Sequence, residues 1–171
     1  MRIAQAASSY FVANPVTWGA DWAWGLPLIV LTVVIHVLGL RVISEKALGL
    51  CSAIAEQRHP TAVFVVVVGA TTLLATSLHA IEAGIWAAAY RLLGALPDHK
   101  AAMLYSLNAM TSYGHESLSL KDRWAILGAL EALNGWLLFG LTTAFLFAMI
   151  AKVWSLGSTG GLNRPTATLD T

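Results

Sequence analysis

Residues 98–115 read Asp98-His99-Lys100-Ala101-Ala102-Met103-Leu104-Tyr105-Ser106-Leu107-Asn108-Ala109-Met110-Thr111-Ser112-Tyr113-Gly114-His115. An aspartate at the head of this run can accept hydrogen bonds from the free N–H groups of a first helical turn. It therefore predicts a short helix over residues 100–109. The six residues that follow, Met110 to His115, show neither helical nor strand periodicity. The whole stretch is too polar to cross a bilayer and too apolar for a plain loop. Long apolar runs flank it on both sides, the layout of a loop that enters a membrane and returns on the same side. Irregular backbone at that depth persists only where protein surrounds it or where it lines a wet cavity. The plainer alternative is a polar hairpin, with Tyr113 as an interface aromatic and Gly114 as a turn residue. Such a hairpin has little need of a capped apolar helix before it.

The composition agrees with a membrane setting. Of 171 residues, 57% are hydrophobic and only 11% charged, and the mean hydropathy is +0.69. Soluble domains carry about 25% charged residues. The net charge of +1 supplies no basic stripe for a nucleic acid. The single cysteine, Cys51, excludes a disulfide framework and any multi-cysteine metal centre.

Towards the N-terminus, a first span is expected over residues 24–40, behind a belt of Trp18, Trp22 and Trp24, with Pro27 in its first turn and Arg41, Glu45 and Lys46 at its end. Residues 42–58 place Val42, Ile43, Ala47, Leu50, Cys51 and Ile54 at helical spacing. This is either an amphipathic helix on the membrane surface or a continuation of the first span. A second span covers residues 61–90, and a third runs from Trp124 to Trp154. The expected fold class is an all-α membrane protein of three transmembrane helices, with a short helix and loop between the second and third. The expected organisation is an N-terminal segment with span and connector (1–60), a central domain (61–154) and a disordered Gly/Ser/Thr/Pro-rich tail (155–171). If the spans alternate, the ten basic residues divide five against five, so charge does not set the orientation. The chain has no internal repeat and no arginine-rich voltage-sensor spacing.

Several polar residues fall inside the spans, where they are costly and usually face protein. His79, Glu82, Trp86 and Tyr90 continue one face of the second span. That face is expected to pack on the short helix and bond its backbone, in preference to forming a metal or proton site. Glu131 and Asn134, three apart on the third span, either face a cavity or hydrogen-bond to a neighbouring span. His36 is expected to make a packing contact or an interhelical hydrogen bond. Gly128, Gly135 and Gly140 allow close helix packing.

Between residues 79 and 152 the chain resembles the pore domain of potassium channels, in particular small bacterial members of the two-transmembrane ion-channel superfamily. The anchors are Ala102-Met103-Leu104-Tyr105-Ser106-Leu107 as pore helix and Tyr113-Gly114 in the filter, then Leu127-Gly128-Ala129-Leu130-Glu131-Ala132-Leu133-Asn134-Gly135 and Thr142-Thr143-Ala144-Phe145-Leu146-Phe147 on the inner helix. The resemblance implies a homotetramer in the cell (inner) membrane, with Met110, Thr111, Ser112, Tyr113, Gly114 and His115 as selectivity filter. It implies a scaffold role for Tyr105, Ser106, His79, Glu82 and Trp86, and a hinge at Gly135. Similar residues recur at the His79–Glu82 position in these relatives. The filter departs from the family's Thr-Val-Gly-Tyr-Gly-Asp. Aligned on Tyr-Gly, Met110 replaces Thr, Thr111 Val, Ser112 the first Gly, and His115 Asp. A Ser in the left-handed backbone of that first Gly costs about 1–2 kcal/mol. A rival register sets Thr111 on the family's Thr and shortens the filter by one residue.

The expected function is therefore a passive cation channel, its selectivity set by this unusual filter, with a permeant monovalent cation (potassium favoured) and neither cofactor nor bound metal. Carbonyl oxygens of four filters would replace an ion's hydration shell. The negative ends of four pore helices would favour a cation. The expected partners are three further copies of the chain and the lipid bilayer, with no nucleic acid. One alternative is a non-conducting scaffold or accessory subunit on a degenerate pore fold. A more distant one is a membrane metalloenzyme using His36, His79, Glu82 and His115, for which no HExxH motif occurs.

Overall fold

In the computed structural model, which describes residues 15–54, 60–114 and 119–159, all described regular structure is helical. Helix α1 spans Pro15–Ile54, α2 spans Pro60–Leu92, α3 spans His99–Thr111, a 3-10 turn covers Asp122–Trp124, and α4 spans Ala125–Thr159. Within α1, α2 and α4 lie stretches of 33, 32 and 31 residues long and apolar enough to cross a membrane. The chain is thus of the multi-pass membrane type. At 1.5 Å per residue each of these stretches is about 45–50 Å long, well beyond a hydrocarbon core of about 30 Å.

Several boundaries differ from the sequence expectation. Helix α1 starts at Pro15, so Pro27 lies inside it. There the missing N–H leaves the Ala23 carbonyl without its helical donor. Of the two readings of residues 42–58, the continuation of the first span holds: α1 runs unbroken to Ile54, burying Ile43, Ala47 and Cys51 while Val42 and Leu50 stay exposed, and residues 55–58 lie outside the described residues. Helix α4 passes through Ser155 to Thr159, into the segment expected to be disordered; residues 160–171 lie outside the described residues.

The burial pattern is inverted relative to a soluble protein. Asp21, Thr32, His36, Glu82, Ser106, Glu131 and Asn134 are at most 2% exposed, whereas Val30, Leu73 and Phe147 are 62–75% exposed. This is the economy of a lipid solvent: apolar side chains lose nothing on the outside, and polar groups must find partners within. Hydroxyls on the outer face follow the same logic. Thr72, Thr76 and Ser77 each donate to the carbonyl one turn back, at 2.9–3.0 Å.

Two compact units can be distinguished. The first comprises Met1–His36 and His79–Phe139. Its core joins Trp86, Ala87 and Tyr90 of α2, Ala102, Tyr105 and Ala109 of α3, and Trp124 and Leu127 at the head of α4. Tyr90 and Tyr105 meet edge to face at 5.3 Å, a favoured aromatic geometry. The second comprises Val37–Leu78 and Gly140–Thr171. Its core is Ala47, Cys51, Val67, Met149 and Val153, with Phe64 set edge-on to Trp154 at 5.8 Å.

Candidate functional site

The turn from α2 into α3 is built on carbonyl groups. Gly94 adopts φ +63°, which suits a residue without a Cβ. Arg91 at the end of α2 donates to the carbonyls of Leu96 (2.8 Å) and Pro97 (2.5 Å), and Lys121 donates to that of Gly94 (2.7 Å). Asp98 then caps α3, accepting from the Ala101 N–H at 2.8 Å.

Helix α3 ends in a left-handed cap. Ser112 has φ 53° and ψ 26°; its N–H bonds the Ala109 carbonyl at 3.1 Å, and the Tyr113 N–H bonds that of Asn108 at 3.0 Å. This pair of bonds is the Schellman arrangement, which usually carries Gly at this position. The Ser112 hydroxyl accepts from the Trp136 indole at 2.7 Å. Gly114 also takes positive φ (+92°), and Tyr113 between them is 85% exposed. Met110 and Thr111, expected as irregular filter residues, form the last turn of α3 instead. The Thr111 hydroxyl bonds back to the Leu107 carbonyl at 2.7 Å, and the helical pattern stops only where Ser112 turns left-handed. His115 lies outside the described residues.

The end of α3 rests on α4 at Gly135, whose Cα faces the backbone of Met110 so closely that no side chain fits between them. Gly128 has the same role earlier in α4, facing the Tyr105 hydroxyl, whereas among the described residues nothing lies within 4 Å of a Cβ at Gly140. Gly135 thus serves close packing within a continuous helix.

Beside this contact lies a buried polar seam. Glu131 accepts from the Tyr90 hydroxyl at 2.5 Å and also contacts the Ser106 hydroxyl. Ser106 is within 2.8 Å of the Ala83 carbonyl as well, and its single proton serves one of these acceptors at a time. Burial and the adjacent Glu131 carboxyl push the Tyr105 hydroxyl up to about 12. The Asn134 amide donates to the Thr32 hydroxyl at 2.9 Å. Glu131 and Asn134 therefore bond to other helices from fully buried positions and do not line an open cavity. Asp21, which sequence reasoning missed, reaches from α1 to accept from the Leu127 N–H at 3.1 Å. It caps the first turn of α4 from another helix, and its only sequence signal is a carboxylate set among tryptophans.

On α2, Trp86 and Tyr90 share a core with α3, but the Tyr90 hydroxyl goes to Glu131 of α4 and not to the α3 backbone. Glu82 does not bond the α3 backbone. Glu82 instead meets His36 of α1, with Oε1 2.8 Å from His36 Nδ1, while its Oε2 lies 3.3 Å from His79 Nδ1. The two imidazoles sit with centroids 5.0 Å apart. The carboxylate prefers an imidazole nitrogen because the α3 carbonyls offer it no donor.

No family model, curated protein or solved structure matches this chain.

Proposed function

We propose that this chain is one subunit of a tetrameric, potassium-channel-like cation pore in the cell (inner) membrane, in which α3 is a pore helix and residues 111–114 form the filter. The observation that carries this reading is the end of α3: a capped helix, docked on α4 at Gly135, that delivers two positive-φ residues on either side of an exposed Tyr113. Left-handed backbone at alternate positions turns successive carbonyls toward one side, as an ion-coordinating loop requires. The C-terminal end of α3 carries the negative end of its dipole, which favours a cation beyond it. The sequence resemblance over residues 79–152 supports the same assignment.

Helical Thr111 favours the shorter register, with Thr111 in the place of the family's Thr. Leu104 and Leu107 of α3 and Leu133, Trp136 and Phe139 of α4 are exposed, and neighbouring copies would cover them. One chain cannot enclose a pore, and closed four-fold symmetry suits the mechanism.

The test is potassium flux into liposomes holding the purified protein, with Tyr113→Ala and Gly114→Ala as filter variants and native mass for stoichiometry. Flux from a tetramer, abolished by either variant in folded protein, is the expected result; unchanged flux in both variants overturns the filter assignment. The second reading, a non-conducting accessory subunit, draws on the departures of Met110, Thr111, Ser112 and His115 from the family's filter sequence. A tetramer without flux would establish it.

A further inference from the structure

We propose that His36, His79 and Glu82 form a binding site for a divalent transition-metal ion of the zinc type, which fastens α1 to α2. Each residue offers one ligand atom, and these atoms lie within 4.8 Å of one another. The set is two imidazoles and one carboxylate, a combination zinc takes with nitrogen and oxygen at about 2.0–2.2 Å. Around a tetrahedral ion with such bonds, ligand atoms stand about 3.3 Å apart. His79 Nδ1 and Glu82 Oε2 are already separated by 3.3 Å. His36 Nδ1 lies 2.8 Å from the other carboxylate oxygen, Oε1, so the carboxylate would turn to set one oxygen between the two imidazoles.

The second observation is the carboxylate itself. Glu82 is fully buried, and its Oε2 has no hydrogen-bond partner although it faces the imidazole of His79. A carboxylate oxygen held only by a long contact inside an apolar span is costly, and a bound cation removes that cost. Helix geometry makes the site: three residues on α2 bring His79 and Glu82 to one face, and His36 closes it from α1. His79, with a quarter of its side chain exposed, is the open side of the set. Two imidazole ligands select against magnesium and calcium, which take oxygen. This site is independent of the pore: it joins the helix that a minimal two-span pore lacks to the helix that such a pore has.

The experiment uses the full chain in detergent, with its affinity tag removed and metal stripped by a chelator. Zinc is titrated in competition with a chromophoric chelator, and cobalt is added separately for its visible spectrum. One equivalent per chain is expected, with cobalt bands of low-symmetry coordination and no competition from magnesium. His79→Ala, at the partly exposed position, should weaken zinc more than about tenfold while leaving helical content intact. His36→Ala and Glu82→Gln should do the same where they fold. His99→Ala, at the head of α3, should change nothing. Zinc should raise the Tm of the parent chain but not of His79→Ala. Absence of stoichiometric zinc binding, or binding that His79→Ala leaves unchanged, overturns the site.

Discussion

The α carbons of Gly135 and Met110 lie so close that a methyl group on Gly135 would stand 2.7 Å from the Met110 Cα. Everything at the end of α3 depends on that approach, since Thr111, Ser112 and Tyr113 follow Met110 directly. Gly135→Ala should therefore push α3 away from α4. Overpacking of this kind costs about 1–3 kcal/mol, visible as a lower Tm in detergent. Gly140→Ala meets no neighbour among the described residues and should be neutral or raise stability by up to about 1 kcal/mol through helix propensity. Equal behaviour of the two variants would contradict the packing role.

Tyr90→Phe removes the hydroxyl that donates to Glu131 at 2.5 Å while keeping the ring in the core. It leaves a buried carboxylate short of a donor, at a cost of about 1–3 kcal/mol. Denaturation followed by circular dichroism reads this. Ser106→Ala should act on the same carboxylate, and a double-mutant cycle should show that the two effects do not add.

Thr32→Val takes away the acceptor of the Asn134 amide. The Asn134 carbonyl oxygen already lacks a partner among the described residues, so the whole amide would then be unpaired among them. Interhelical bonds of this type in membranes are worth about 0.6–1.7 kcal/mol. Thr32→Ser, which keeps the hydroxyl, should recover most of the loss.

Asp98→Ala removes the cap on α3, for about 1 kcal/mol. The readout is local: amide exchange at Ala101 should speed up, while the second core, around Met149 and Val153, should be unaffected. Asp98→Asn should retain the protection.

The three long helices were legible because about twenty apolar residues in a row admit few other structures. The capped helix after Asp98 was legible because an N-cap is a local bond between residues three apart. The reading of Met110 and Thr111 as irregular failed for the complementary reason: their helical state is held by the left-handed cap at Ser112, and a serine rarely announces one. Glu131, Asn134 and His36 stood out as polar groups among apolar neighbours, but their partners did not. Periodicity assigns a residue to a face of its own helix and says nothing about which residue lies opposite.

The amino-acid order is enough to establish an all-helical chain with three apolar spans and a short capped helix between the last two. Those features follow from local propensity and from the cost of exposing backbone to lipid. Packing in three dimensions was needed to turn Glu82 to His36, to gather Tyr90 and Ser106 around Glu131, to cap α4 with Asp21 and to seat α3 on Gly135. Each of these pairings joins residues on different helices, and inside a bilayer a polar group takes whichever partner the packing of helices brings within reach.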